Sequence, residues 1–395
     1  MICGNGKNLK YLRMNNTTEI LKVLTIEGPS SRSDLASRLG LSKMTITNIV
    51  TELMREGYLV EFKQCEKSTM PTTGPKPMML RIEKNRILSI GIYISKKSVF
   101  GALIDIVNGE IYRDSAALEA KDTEEDIITK VIQIIDNIYR FDRSLNSQII
   151  GIGVASVGLV NAERGVISRV TEFARMIDID IKSILESRYS LPVFASNDIQ
   201  ASTLAEQMYG NGKNKENFIF IGISNGIGAA VVIDGRILVV SHGDTSESGH
   251  MCVNGQGAQC ICENGVCFEH YTSIPVLLKK TCSSSFKELL NKIDQKDELT
   301  SKVMEGFIRA VDIELTNMAN VFDPEFMMIG YEVASLNSEI LKTIEKLVNI
   351  HMIQRDKKHI KIIPSKLREL GPLRGSGCLV LKELFCGDIF LDLRM

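Results

Sequence analysis

HMCVNGQGAQCICENGVCFE, residues 250–269, carries the densest chemistry in this chain. Cys260 and Cys262 are followed by Cys267, and His250 stands ten residues upstream of the first of them. Three thiolates and one imidazole complete a tetrahedral set for a structural zinc ion. Glu247 and Glu269 flank that set, so a metal that orders the loop also fixes two carboxylates, as a ligand site requires. Cys252 lies too close in sequence to His250 to hold a place of its own. The alternative is a group of ordinary thiols beside a surface loop.

Outward from this stretch, the chain has 395 residues, 44% of them hydrophobic and 24% charged. That is globular composition with length for two or three domains. No apolar run approaches the ~18 residues of a membrane span, and the first ten residues lack a signal-peptide core. The expectation is a cytoplasmic protein with no membrane partner. Six further cysteines are scattered, which reads as buried thiols, not a disulfide framework.

Charge is unevenly shared. Residues 1–85 hold 13 Lys/Arg against 8 Asp/Glu, while the remainder holds 34 against 40. A basic front on an acidic body fits nucleic-acid binding by the front alone.

The front reads as three helices. Residues 17–27 show apolar positions at helical spacing and stop at Gly28-Pro29. Ser31 opens a second helix, with Asp34 completing a capping box. Gly40 turns the chain, and Ser42 caps a third helix with the apolar stripe Ile46, Ile49, Val50 and Leu53. Helix, glycine turn, helix is the helix-turn-helix pattern. The last helix then enters the major groove. Ser42, Lys43, Thr45, Thr47 and Asn48 are the candidate DNA contacts, Lys43 for phosphate and the polar residues for bases. Strands at 58–63 and 78–82, with Lys63, Lys67 and Lys76 between or beside them, read as a wing. An interaction module without a DNA role is the bland alternative.

From residue 87 the pattern changes. Strands at 87–94 and 99–106 are joined by a turn, and Asn108-Gly109 leads into a third. A helix at about 123–140 and an apolar strand at 149–156 follow. The sketch recurs at 218–223, 229–233 and 236–240. Two such meanders predict a duplicated, two-lobed α/β body with a cleft between lobes. The expected domains are 1–82, a winged helix-turn-helix, and 83–395, with lobes at roughly 83–198 and 199–395.

This layout resembles the actin-like sugar-kinase architecture. With the winged helix in front, the chain is similar to the repressor branch of the Repressor–ORF–Kinase (ROK) family, on Ser196-Asn197-Asp198, Glu247-Ser248-Gly249-His250 and Cys260–Glu269. The resemblance covers residues 17–380.

The resemblance implies a sugar site at Asn197, Asp198, Glu247, His250 and Glu269, and zinc at His250, Cys260, Cys262 and Cys267. In family kinases the residue matching Asp198 is the general base toward a sugar hydroxyl. Those kinases also carry an Asp-x-Gly-Gly-Thr turn, because backbone amides approach phosphate closely only past glycine. Here the turn is Tyr93-Ile94-Ser95-Lys96-Lys97. Ser224-Asn225-Gly226-Ile227-Gly228 keeps two glycines, but Tyr331 follows Ile329-Gly330 where the family has another glycine. Val157 and Asn161 replace a proline and an aspartate, and Glu263 and Val266 replace glycines of the metal loop.

The expectation is therefore no enzyme. It is a repressor of carbohydrate-utilisation genes, binding operator DNA as a homodimer or homotetramer and answering to a sugar effector, with xylose one candidate. The alternatives are an active ATP-dependent sugar kinase and a repressor governed by a protein partner.

Overall fold

The computed structural model describes residues 9–63, 78–107, 109–119, 121–168, 178–239, 247–254, 266–387 and 389. Its N-terminal module comprises α1 (Leu9–Ile26), β1 (Ser30–Ser31), α2 (Arg32–Leu39), α3 (Lys43–Arg55), β2 (Leu59–Phe62) and β3 (Met79–Ile82). The strands pair in the order β1-β3-β2. α1 begins well before residue 17. No glycine or proline interrupts residues 9–16, and Arg13 is drawn into an ion pair with buried Glu52 of α3. Ile20, Leu21, Leu35, Ile46, Val50, Leu53 and Leu80 are fully buried between these elements.

The helix ends follow local chemistry. Ser31 and Asp34 form the reciprocal capping box of α2, and Ser42 Oγ accepts from Thr45 N at the start of α3. Such caps contribute about 1 kcal/mol each. Gly40 closes α2 at φ 64°, in the left-handed region where a Cβ costs roughly 1–2 kcal/mol.

The body begins with β4 (Leu88–Ile94), β5 (Ser98–Asp105), β6 (Gly109–Ala117) and α4 (Glu124–Phe141). α4 turns Ile127, Val131, Ile134, Ile135 and Ile138 inward, and it packs on β5 and β6. Next come β7 (Ile149–Ser156), β8 (Val160–Asn161), β9 (Val166–Ile167), β10 (Ile179–Asp180), α5 (Ile181–Tyr189) and β11 (Val193–Asn197). The larger sheet runs β11-β7-β4-β5-β6.

The repeat follows α6 (Asp198–Tyr209). It comprises β12 (Phe218–Ile223), β13 (Ile227–Ile233), β14 (Arg236–Ile237), β15 (Cys252–Asn254), β16 (Val266–Cys267), α7 (Glu269–Thr272), α8 (Ile274–Lys280), α9 (Phe286–Asp294) and α10 (Glu298–Phe322). β17 (Phe326–Gly330), α11 (Ser338–His351), β18 (Lys361–Pro364) and α12 (Gly371–Cys386) complete it. Its sheet order, β14-β13-β12-β17-β18, repeats that of the first sheet. β12 shows the period-2 logic of a doubly covered strand. Ile219, Ile221 and Ile223 join the core built with α10 and α11, while Phe218 and Phe220 join Ile199 and Tyr331 on the other face.

The chain divides into two compact units. One comprises residues up to 155, 164–195 and from 376 onward; the other comprises 156–163 and 196–375. The sequential lobes 83–198 and 199–395 are corrected accordingly, because α12 starts in the second unit and ends in the first. The physical reason is close packing. A Cβ on Gly153 of β7 would lie 1.8 Å from the Ser376 carbonyl oxygen, so glycine alone admits the helix. Among the described residues no helix is long and apolar enough to cross a membrane.

Candidate functional site

Two sets of side chains carry chemistry: the outward face of α3 and a group in the second unit. On α3, Ile46, Ile49, Val50 and Leu53 face the core, which turns residues 44, 47, 48 and 51 outward. Lys43, Met44, Thr47, Asn48 and Thr51 are exposed, as is the cap Ser42. Thr45 departs from the sequence expectation. It is half-buried beside Leu12, Arg13 and Asn16 of α1, and its hydroxyl lies 2.9 Å from Ser42 Oγ. Thr45 is a capping residue first. Met44, absent from the contact set expected from the sequence, takes an outward position; the helical spacing to Asn48 was the available signal. Lys63 is described and exposed, whereas Lys67 and Lys76 of the expected wing lie outside the described residues.

In the second unit, β11 delivers Asn197 and Asp198 to the start of α6. Asn197 Oδ1 caps the helix by accepting from Ile199 N at 2.8 Å, and its Nδ2 donates to Gly158 O at 2.7 Å. Two of the singled-out segments, 155–161 and 196–198, are thereby joined, with Asn161 half-buried on β8. Asp198 is only 9% exposed, and its Oδ2 accepts from Tyr331 Oη at 3.0 Å. Ser202 Oγ stands 3.3 Å from the same phenol.

Tyr331 holds that position at a backbone cost. Its φ of 58° and ψ of −148° belong to a region used almost only by glycine. The ring is 5% exposed and meets Phe220 edge-on at 6.3 Å. A Cβ on Gly222 would lie 2.2 Å from the ring, so the glycine at the end of β12 makes the space that Tyr331 fills.

Glu269 opens α7. Its Oε2 accepts from Ile227 N at 3.3 Å, at the glycine turn between β12 and β13, and a Cβ on Gly249 would lie 3.2 Å from it. Glu247 is exposed and starts the short helical turn Ser248–His250, with its carbonyl accepting from His250 N at 3.0 Å. Ile199, next to Asp198, packs on Gly228 of the same hairpin, where an added Cβ would meet it at 2.9 Å. The start of α6 and the Glu269–Gly249 contact thus sit along one hairpin.

Of the four expected metal ligands, His250 and Cys267 are described; Cys260 and Cys262 lie outside the described residues. β15 and β16 pair Cys252 with Cys267, and Cys267 Sγ comes within 3.3 Å of the His250 carbonyl oxygen. Ligand positions far apart in sequence are therefore neighbours. Cys267 is fully buried and Cys252 exposed.

The first unit's turn after β4 differs from a phosphate cradle. Ser95 Oγ accepts from Lys97 N at 3.3 Å and Ser98 N at 3.0 Å, and donates to Ser98 O at 2.8 Å. The amides of Lys97 and Ser98 are engaged by this side chain. Tyr93, in place of the family's aspartate, stacks on its cross-strand partner Phe100 at 6.0 Å.

This arrangement defines a winged helix-turn-helix module joined to a sugar-kinase-like body. Residues 15–60 match the winged helix-turn-helix DNA-binding family and residues 89–383 the ROK family. The chain belongs to the ROK family. It is 29% identical over 390 residues to the xylose repressor of Bacillus subtilis (strain 168), across 97% of each chain. It is 24% identical over 403 residues to the DNA-binding transcriptional repressor Mlc of Escherichia coli (strain K12), covering 98% of this chain and 97% of Mlc. Among solved structures, a ROK family transcriptional regulator homologous to E. coli Mlc superposes with a TM-score of 0.81 at 21% identity, over 95% of this chain and 97% of its own. A ROK glucokinase from Streptomyces griseus, solved with glucose and AMPPNP, superposes with a TM-score of 0.65 at 20% identity, over 74% of this chain and 98% of its own.

Proposed function

We propose that this chain is a DNA-binding transcriptional repressor of carbohydrate-utilisation genes, and that a sugar held by the second unit changes its operator affinity. The chain carries a winged helix-turn-helix match, and relatives that span its full length include the xylose repressor and the repressor Mlc, which supports a DNA-binding role over a kinase role. The observation that carries the non-catalytic reading is Ser95, whose hydroxyl occupies the turn amides where a kinase must hold phosphate.

The sugar-reading set is Asn197, Asp198, Glu247, His250 and Glu269. Carboxylates and imidazole are hydroxyl partners, and buried polar groups of this kind are tolerated where hydrogen bonds satisfy them. Asp198, with one oxygen bonded to Tyr331, serves as an acceptor instead of a base. Xylose is one candidate effector, supported by the likeness to xylose repressors. Two-fold operators call for a dimer or tetramer of such chains. A coupled assay with ATP, hexoses and pentoses is expected to show no turnover. Turnover that disappears in Asp198→Asn would make the chain a kinase.

Zinc belongs to the same reading. His250, Cys260, Cys262 and Cys267 would hold it, supported by the contact of Cys267 Sγ on β16 with the His250 carbonyl oxygen in the turn before β15. Four protein ligands leave no open position, so the metal supplies a cross-link and no reaction chemistry. It would tie His250 to the segment that ends at Glu269. Cys267→Ser is expected to release the metal, read by elemental analysis of the purified protein, and to lower the melting temperature. Full metal content after that change contradicts the ligand set.

A further inference from the structure

Met44 is 73% exposed in the first turn of α3; among the described residues, the module's other exposed large apolar side chains, Leu12 and Met78, stand at 43% and 37%. A thioether this open, on the turn that meets base edges in a helix-turn-helix, is placed for contact with a partner and not with the core.

Its surroundings narrow the partner. Met44, Thr47, Asn48 and Thr51 share one face, opposite the buried Ile46, Ile49, Val50 and Leu53. The hydroxyls of Thr47 and Thr51 donate to the carbonyls of Lys43 and Thr47 at 2.8 and 2.7 Å, so their donors are spent inside the helix. Guanine is most often read by arginine. In this module Arg13 pairs with Glu52, Arg32 with Glu61, Arg38 with Glu27 and Arg55 with Glu56. Arg81 lies over the Phe62 ring at 5.2 Å. The outward face therefore offers a thioether, two threonines and an amide, with Lys43 beside them as the phosphate contact. Apolar groups contact the thymine methyl, and asparagine pairs with the adenine edge.

We infer that Met44 reads the 5-methyl group of a thymine in the operator's major groove, beside an adenine read by Asn48, so that each half-site presents A·T pairs to the start of α3. The inference rests on the DNA-binding reading of α3 proposed above.

The test uses the full chain and duplexes enriched from a random-sequence library. Each thymine of the best duplex is replaced in turn by deoxyuridine, which removes only the methyl group, and affinity is read by fluorescence anisotropy at fixed salt. Wild type should lose about four-fold per half-site at one thymine, the worth of one buried methyl-sized group. Met44→Ala should lose a similar amount on the thymine duplex and nothing more on the deoxyuridine duplex. Lys43→Ala should weaken both duplexes equally, as a phosphate contact does. A Met44→Ala chain with wild-type affinity and undiminished sensitivity to the methyl group would overturn the inference while leaving DNA binding intact. A wild-type chain that enriches no duplex would overturn the DNA-binding reading, and this inference with it.

Discussion

A Glu314→Met variant is expected to melt well above wild type at pH 8 and close to it at pH 5. Glu314 lies in α10 between Val311 and Leu315, both in the apolar core, and is itself fully buried. Neither carboxyl oxygen has a hydrogen-bond partner among the described residues. Burial pushes its pKa up from 4.5 to about 7. In the unfolded chain the carboxyl ionises above 4.5, whereas the folded chain keeps the proton until about 7. The unfolded state thus binds fewer protons across that window. Stability falls as pH rises through it and stays reduced above, by about 3 kcal/mol in total. Methionine has similar length and no charge to bury, so it removes this loss at pH 8. Differential scanning fluorimetry across pH 5–8 checks it. A constant difference between the two proteins at every pH would contradict the assignment of Glu314.

The second large effect is expected at Asp198. Asparagine preserves the geometry, since its carbonyl can still accept from Tyr331 Oη. On the proposed function it removes the charged acceptor for a sugar hydroxyl, and hydrogen bonds to charged groups contribute about 1.5–3 kcal/mol. The sugar concentration that half-changes operator affinity should therefore rise roughly 10- to 100-fold in Asp198→Asn. Operator affinity without sugar should stay as in wild type. An unchanged sugar response would remove Asp198 from the site.

Local patterns were legible in the sequence where chemistry is local. The Ser31–Asp34 box and the Ser42 cap need only residues three apart. The repeated meanders follow from alternating apolar residues with tight turns at Asn108-Gly109 and Asp234-Gly235, the first of these partly outside the described residues at Asn108. The missing Asp and glycines at 93–97 were legible too, but not that Ser95 itself occupies the turn amides, which depends on how the hairpin closes.

Long-range facts were not legible. Tyr331 reads in sequence as a departure from a glycine; its bond to Asp198, 133 residues away in the chain, exists only because β17 ends beside the start of α6. The burial of Glu314 is set by what packs on α10. α12 returns to the first unit because Gly153 is small, a contact no spacing predicts. Thr45 looks outward on a helical plot drawn without α1, whose earlier start half-covers it. What the sequence offers by resemblance at Asn197, Asp198 and Glu269 is a set of positions; their partners, Gly158 O, Tyr331 Oη and Ile227 N, come from the fold.

Coupling of a sugar to an operator within one chain is read by titrating pentoses and hexoses into the complex of the full chain with its enriched duplex, followed by fluorescence anisotropy. At least one sugar is expected to change operator affinity by roughly 5- to 150-fold, the usual span of such coupling, and Asp198→Asn is expected to blunt the change. Operator affinity that stays constant for every sugar would contradict it.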